Sequence, residues 1–488
     1  FGVAKNKNWG EGDKQFLRSL FKKASKDNKN YFNDFLEPLF YEALRNDRSH
    51  EDHYFSMLDC KIPFLNGGLF DPMNDYDWTG TDLELPDELF SNMRKTKEGD
   101  TGSGILDIFD RYNFTVKEDE PLEKEVAVDP EMLGKAYEKF NAIRPDNYEE
   151  YKKALKSGEK GGENKFNKQY GVYYTPREIV HYMCQQSLIN YLCTTLNDVP
   201  VSYEKLGEEQ TFIFKDASKK PQLDLTIEHR PCPVILKEEI ETLIKYGEQL
   251  GENEATVEAK GKETKTYFYK LPESIRQNAK PIDKKLSDIK VCDPAIGSGA
   301  FPVGMMSEIV KTRNVLSAFI KDPHRTVYTF KRECIEKSLY GVDIDPGAVE
   351  IAKLRLWLSL VVDEDDIKQI KPLPNLDYKI VCGNSLSGVN TLFHHAKLKE
   401  LELIKPLLFN ETNPTKKQDY KNQIDELISQ ITDGHKEFDF EVYFSEVFHE
   451  KGGFDVVIAN PPWGSKLSAD EKLKLKENYP EIDSSTPN

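Results

Sequence analysis

Long apolar runs are missing from this chain of 488 residues. None approaches the roughly 20 residues that a membrane-spanning helix needs. No basic leader followed by an apolar stretch opens the sequence. Cysteine is sparse, with seven residues scattered as Cys60, Cys184, Cys193, Cys232, Cys292, Cys334 and Cys382. Their number is odd and their spacing suits no metal, which argues against a disulfide framework and a zinc site. Cys292 and Cys382 lie in apolar, strand-like runs and are expected to be core thiols. These absences point to a reducing cytoplasm and to no membrane association. Positive charge is also short, at a formal net charge of −17. A broadly basic face for nucleic acid is therefore not expected. A local basic cleft, or a basic surface on another domain, stays open. No internal repeat is evident. The chain begins at Phe1 without Met and ends in Ile482 to Asn488, so a fragment of a longer protein is expected.

What is present is a globular composition, 38% hydrophobic and 31% charged, on a chain long enough for more than one core. Residues 1–140 read as a mainly helical domain, with Phe16, Leu17, Leu20 and Phe21 near helical spacing. Ile62 to Phe70 reads as a packed, Gly-punctuated turn, and the acids Asp71 to Glu84 behind it match no calcium loop. Asp129 to Tyr137 reads as a capped helix. Residues 141–168 are polar and Gly-rich, as in a linker or exposed loop. The region 169–488 forms the last domain, with an irregular insertion at about 197–288 and a helical excursion at about 392–435, plausibly a hairpin. From about 289 strands alternate with helices: Ile289–Asp293, Ser338–Ile344, Tyr378–Cys382 and Asp455–Ala459 are the expected strands. That alternation predicts an α/β fold, a parallel sheet with helices on both faces.

Two motifs carry chemistry. Asp293-Pro294-Ala295-Ile296-Gly297-Ser298-Gly299-Ala300 follows the first strand. Gly297 and Gly299 let the backbone turn sharply and approach a ligand. The loop lacks the dinucleotide spacing Gly-x-Gly-x-x-Gly, and no Lys-Ser/Thr follows it as a phosphate loop requires. A cationic methyl donor without phosphate fits better, with Asp293 orienting its ammonium directly or through water. Asp343, near the end of the second strand, can accept both ribose hydroxyls. Asp345, ahead of Pro346, reads instead as a helix cap. Asn384, after the third strand, can meet the donor's adenine amino group. Thr175 and Pro176 precede a helix; Thr175 reads either as its cap or as a ligand for a carboxylate.

The second motif is Asn460-Pro461-Pro462-Trp463, after the fourth strand. An Asn side-chain oxygen and a Pro backbone carbonyl can hold one exocyclic NH2, while an aromatic face stacks on the base that carries it. Such a nitrogen is a poor nucleophile because its lone pair is delocalised into the ring. Holding it between two acceptors aims that lone pair, so placement carries most of the rate. Cytosine-C5 chemistry would want a Pro-Cys nucleophile after the glycine loop. Pro231-Cys232 lies before it and reads as structural.

As a set, Tyr174-Thr175-Pro176, Asp293 to Phe301, Asp343, Asn384 and Asn460 to Trp463 resemble the N6-adenine DNA methyltransferases of bacterial restriction-modification systems. The likeness is greatest to polypeptides combining restriction and modification. It covers roughly residues 125–488, with Trp463 where Tyr is commoner. The resemblance implies a Rossmann-like methyltransferase fold, here truncated at its C-terminal side, that uses S-adenosylmethionine. Tyr174, Thr175, Pro176, Asp293, Ala295, Gly297, Gly299, Phe301, Asp343, Ile344 and Asn384 would hold the cofactor. Asn460, Pro461, Pro462 and Trp463 would hold a flipped-out adenine of double-stranded DNA. No metal is implied for methyl transfer, although a nuclease elsewhere in the parent would use magnesium. A target-recognition domain is expected in the missing part of the parent. Within the chain, Glu258-Ala259-Lys260 has a nuclease-like Glu-x-Lys form but no convincing upstream acid. The alternatives are methylation of RNA or of a protein glutamine, and a DNA-binding subunit without turnover.

Overall fold

The computed structural model describes residues 13, 15–48, 52–65, 70, 76–97, 99–112, 131, 132, 134, 136, 175–197, 235–260, 270–361, 372–386, 395–432 and 438–461. Its N-terminal part begins with helix α1, Phe16–Asp27, followed by wide π-type turns at Phe32–Leu36 and Pro38–Ala43. A short antiparallel hairpin comes next, β1 (Tyr54–Phe55) against β2 (Cys60–Lys61), and helix α2 spans Ile105–Arg111. The described residues between 76 and 104 are mostly turns and extended chain, with one short 3-10 helix at Asp87–Leu89, in a region expected as part of a mainly helical domain. Local polar groups explain the difference. The Asp77 carboxylate accepts from the Thr79 and Gly80 amides, and Gly99 and Gly102 take positive φ.

The expected irregular insertion is corrected in its second half. Helices α3 (Arg177–Asn197), α4 (Lys237–Lys260), α5 (Glu273–Gln277) and α6 (Ala279–Asp288) lead directly into the sheet. Ile240, Leu243, Ile244 and Leu250 of α4 recur at helical spacing and are buried in the main core. That spacing is legible in the sequence but is diluted by the Glu and Lys around it.

Among the described residues the main sheet has four parallel strands in the order β5-β4-β3-β6. They are β3 (Val291–Asp293), β4 (Leu339–Asp343), β5 (Ile380–Cys382) and β6 (Val456–Val457). Alternation divides their side chains between two cores. Val291, Leu339 and Ile380 face the larger one, formed with helices α7 (Ala300–Leu316), α8 (Val327–Lys337) and α9 (Pro346–Val361). Cys292, Tyr340, Val342 and Val381 face an aromatic layer of Phe438, Phe444 and Phe454. With both faces covered, β3 is buried throughout, Asp293 included. Cys292 is a core thiol as expected, but Cys382 is exposed. It ends β5 on the side opposite to buried Val381.

Helices α10 (His395–Asn410) and α11 (Pro414–Ile431) pack as the expected hairpin. Leu398, Leu401, Leu408, Ile424, Leu427 and Ile431 form its own apolar seam. Its base is pinned by the Tyr378 hydroxyl, which donates to Asp425 over 2.6 Å, and by the Asn375 amide, which donates to the Leu408 carbonyl. No helix among the described residues is long and apolar enough to cross a membrane.

Helix α7 is buried almost all round and organises the rest. At Gly304 it lets α3 come close: a Cβ there would stand 2.5 Å from a Val180 methyl. Gly304→Val is therefore expected to cost about 1–3 kcal/mol by overpacking. Urea denaturation of the variant against the parent checks this; an unchanged midpoint would show that the helices can separate freely.

Candidate functional site

All strands of the main sheet are parallel, so their carboxyl ends share one edge, the place where open α/β sheets bind ligands. From the centre, β3 delivers Asp293 and the glycine loop. Next to it β4 delivers Asp343, and β5 beyond delivers Gly383 and Asn384. On the other side of β3, β6 leads to Asn460 and Pro461. Tyr174, Pro462 and Trp463 lie outside the described residues.

The loop after β3 is fixed by its own amides. The Ala295 amide donates to the Asp293 carboxylate over 3.1 Å, and the Ile296 amide to the Val342 carbonyl over 2.9 Å. Gly297 and Gly299 have φ of 51° and 85°, a region that side chains with a Cβ rarely adopt. Gly299 also lies against Ala352 of α9, where an added Cβ would be 3.1 Å from the Ala352 Cα. Phe301 is buried in the main core, so its ring anchors the first turn of α7.

Asp343 joins this loop to the next. One carboxylate oxygen accepts from the Gly297 amide over 2.8 Å and the other from the Asp345 amide over 2.9 Å. Asp345 in turn caps the following helix by accepting from the Gly347 amide, as its place before Pro346 implies. The Gly383 amide donates to the Asp343 carbonyl, which brings Asn384 beside Asp343. Asn384 then closes a turn of its own, its side-chain oxygen accepting from the Leu386 amide. Ile344 projects beside Asp343 at 73% exposure, an apolar surface at this edge.

The edge is acidic. Asp293 is 1% exposed, and burial, reinforced by the Asp343 charge, pushes its carboxyl up to about 8 against the opposing Ala295 amide bond. Burial also raises the Asp343 carboxyl above its ordinary value, against the Asp345 and Gly297 amides that favour its charged form. Among the described residues no group of His, Cys, Asp and Glu could hold a metal ion.

Thr175 does not cap α3. The Pro176 carbonyl accepts from the Ile179 and Val180 amides at the helix start. The Thr175 hydroxyl instead accepts from the Asn460 side-chain nitrogen over 3.0 Å. This bond joins the two ends of the sequence-derived site. Several further residues support it. Buried Arg355 donates to the Ser298 carbonyl over 2.9 Å, and buried Arg177 pairs with Glu131. Gly134, in the helical stretch that contains Glu131, lies against Ser298, where a Cβ would meet the hydroxyl at 2.7 Å. Nothing local marks these contacts: Glu131 and Gly134 read only as parts of a capped helix, and Arg355 as one of three charged residues of α9.

The Asp343 bridge has a direct test. An Asn at this position can accept from one of the two amides but turns an NH2 toward the other. Asp343→Asn is expected to lose about 1–3 kcal/mol of stability. Chemical denaturation measures it, and an unchanged stability would mean that the bridge contributes nothing to the loop.

Residues 337–488 match the family described as Eco57I restriction-modification methylase. The segment contains β4, β5 and β6, and with them Asp343, Asn384 and Asn460. A protein of Methanocaldococcus jannaschii named as a type II restriction enzyme and methyltransferase is 26% identical over 565 residues, covering 96% of this chain and 40% of that relative. The chain thus spans less than half the length of the curated relative it matches. Over residues 337–488, which carry Asp343, Asn384 and Asn460, the chain is thus similar to methylases of restriction-modification systems.

Proposed function

We propose that the chain binds S-adenosylmethionine at the carboxyl edge of β3, β4 and β5. It transfers the methyl group to N6 of a flipped-out adenine in double-stranded DNA, as the methylase part of a restriction-modification system in the cytoplasm. The observation that carries this reading is the position of Asn460. It follows β6, which pairs with the strand bearing the glycine loop, and it is hydrogen-bonded to Thr175. The strand order supports a Rossmann-like fold, and a methyltransferase unit beginning near residue 169 behind a helix-containing connector belongs to the same proposal.

The residues present suit the cofactor. Asp293 is a buried acid able to meet an ammonium group, Asp343 a partly open acid for ribose hydroxyls, and Ile344 an apolar face for a purine. Asn384 stands beside them. When bound, S-adenosylmethionine supplies a methyl group activated by its positively charged sulfur. The chain's own work is positioning. The Asn460 side-chain oxygen and the Pro461 carbonyl accept the two hydrogens of the adenine amino group, and Trp463 stacks on the base. This orients the nitrogen lone pair for in-line attack. The nitrogen would gain the methyl group as the donor's carbon–sulfur bond breaks, the sulfur leaving as a neutral thioether, and would give up one proton to water. A stacked base cannot reach such a site, so the adenine leaves the duplex. The recognition sequence, and any nuclease, are assigned to the rest of the parent protein.

The test uses a polypeptide containing the whole chain, labelled S-adenosylmethionine and mixed-sequence duplex DNA. Mass spectrometry of the nucleosides is expected to find labelled N6-methyladenine. Asn460→Ala should abolish it while cofactor binding persists. Label in RNA or on a protein glutamine, and none in DNA, would replace the proposed acceptor. A second measurement addresses the cofactor half. Asp293 holds its proton at neutral pH, and a cation beside it favours release. Calorimetry at pH 7 in buffers of different ionisation heat is expected to show release of up to about one proton per cofactor bound. Asp293→Asn should bind without that release. In the ligand-free chain the sign is opposite for stability. The Asp293 contribution falls as pH rises from its ordinary value of 3.8 to about 8, because the folded chain keeps a proton that the unfolded chain has lost.

A further inference from the structure

We infer that Thr175 is a positioning residue for Asn460, setting which end of its amide faces the acceptor base and tying that orientation to the cofactor half of the site. The inference rests on the methyl-transfer reading above and adds a role that neither residue carries alone.

An asparagine amide has two chemically opposite ends on one carbon, an acceptor oxygen and a donor nitrogen. Rotating it by half a turn exchanges them. Holding an adenine NH2 needs the oxygen; the nitrogen presented there would oppose the base donor to donor. Something must therefore engage the nitrogen elsewhere. Thr175 does so: its Oγ1 accepts from Asn460 Nδ2 over 3.0 Å across 285 residues of sequence, with both side chains half-buried. With the nitrogen committed to Thr175, the oxygen occupies the other arm of the amide.

Thr175 is suited to this because its hydroxyl is not spent on the helix behind it, whose first amides go to the Pro176 carbonyl. A hydroxyl that accepts from Asn460 has one hydrogen to donate. An anionic acceptor such as the carboxylate of an amino acid group suits that hydrogen. A carboxylate receiving it would fix the hydroxyl rotor with its lone pair toward Asn460. Donor and acceptor halves would then share one hydroxyl.

The residue is also held firmly enough to position another. Arg177, two residues on, forms the buried pair with Glu131. Val180 packs against Gly304 of α7. The His181 ring nitrogen lies 2.7 Å from the Glu308 carboxylate, and Gln185 donates to the other oxygen of Glu308. Helix α3 is thereby clamped to α7, which begins at the glycine loop. Thr175 thus has a fixed relation to that loop before any ligand arrives.

Thr175→Val keeps the side-chain shape and removes the hydroxyl, while Thr175→Ser keeps the hydroxyl. With cofactor and DNA both saturating, Thr175→Val is expected to lower kcat about 100-fold, the scale of a misplaced reacting group. Thr175→Ser should restore most of it. A raised KM for cofactor with unchanged kcat would overturn the inference and leave Thr175 as a cofactor ligand only. A readout independent of turnover comes from protein labelled with 15N at asparagine. The Asn460 side-chain NH2 signal, identified by its loss in Asn460→Ala, should move in Thr175→Val and stay near its place in Thr175→Ser. A signal indifferent to Thr175→Val overturns the link. A signal that moves as expected in a protein that methylates no adenine removes the methyl-transfer reading instead, so the two failures are distinguishable.

Discussion

The carboxylate of Asp343 is the constraint on which the candidate site depends. It stands at the end of β4 and accepts one amide from the loop after β3 and one from the turn that starts α9. Without a shared acceptor these turns would each need other partners for their donors. With it, the glycine loop, the end of β4 and the start of α9 become one unit. The close approach of Gly299 to Ala352 locks the same unit from the helix side. Strand β5 joins through the backbone bond from Gly383 to Asp343.

This arrangement also chooses a ligand charge. Asp293, Asp343 and Asp345 lie on neighbouring turns at the same edge, where their carboxylates accept from backbone amides. A pyrophosphate brought here would meet carboxylates, whereas an ammonium or sulfonium would meet favourable charge. Burial, reinforced by the neighbouring Asp343 charge, holds the Asp293 carboxyl above its ordinary value. The acidity of this edge is what the proposed cationic donor would meet.

Much of this was legible in the sequence, and the reasons differ by element. The strands announced themselves because a sheet covered on both faces demands short apolar-rich runs, as in Leu339 to Val342. Asp345 was readable as a cap because its partner is two residues away. Gly297 and Gly299 were readable because their backbone conformation excludes other residues. The Thr175 to Asn460 bond was not, since nothing local encodes a contact across 285 residues. A local rule even pointed elsewhere, assigning Thr175 to a helix start that Pro176 serves. Helix α4 was obscured by its charged exposed face. Cys382 misled because a strand's last residue can face outward while its neighbour is buried.

The 285-residue separation bears on how the protein comes into being. Strand β3 pairs with β4 about 50 positions away in sequence, but β6 must return across roughly three times that distance, as the bond from the Lys290 amide to Asp455 shows at 165 residues. Contacts that close longer loops cost more chain entropy and form more slowly. On a ribosome, moreover, β6 emerges only after every helix of the larger core has been made. The glycine loop can therefore be assembled and tied to Asp343 while Asn460 is still unsynthesised. In the order of biogenesis, the edge formed by the glycine loop and Asp343 precedes Asn460, so a nascent chain passes through a stage in which only the first half of the proposed site exists.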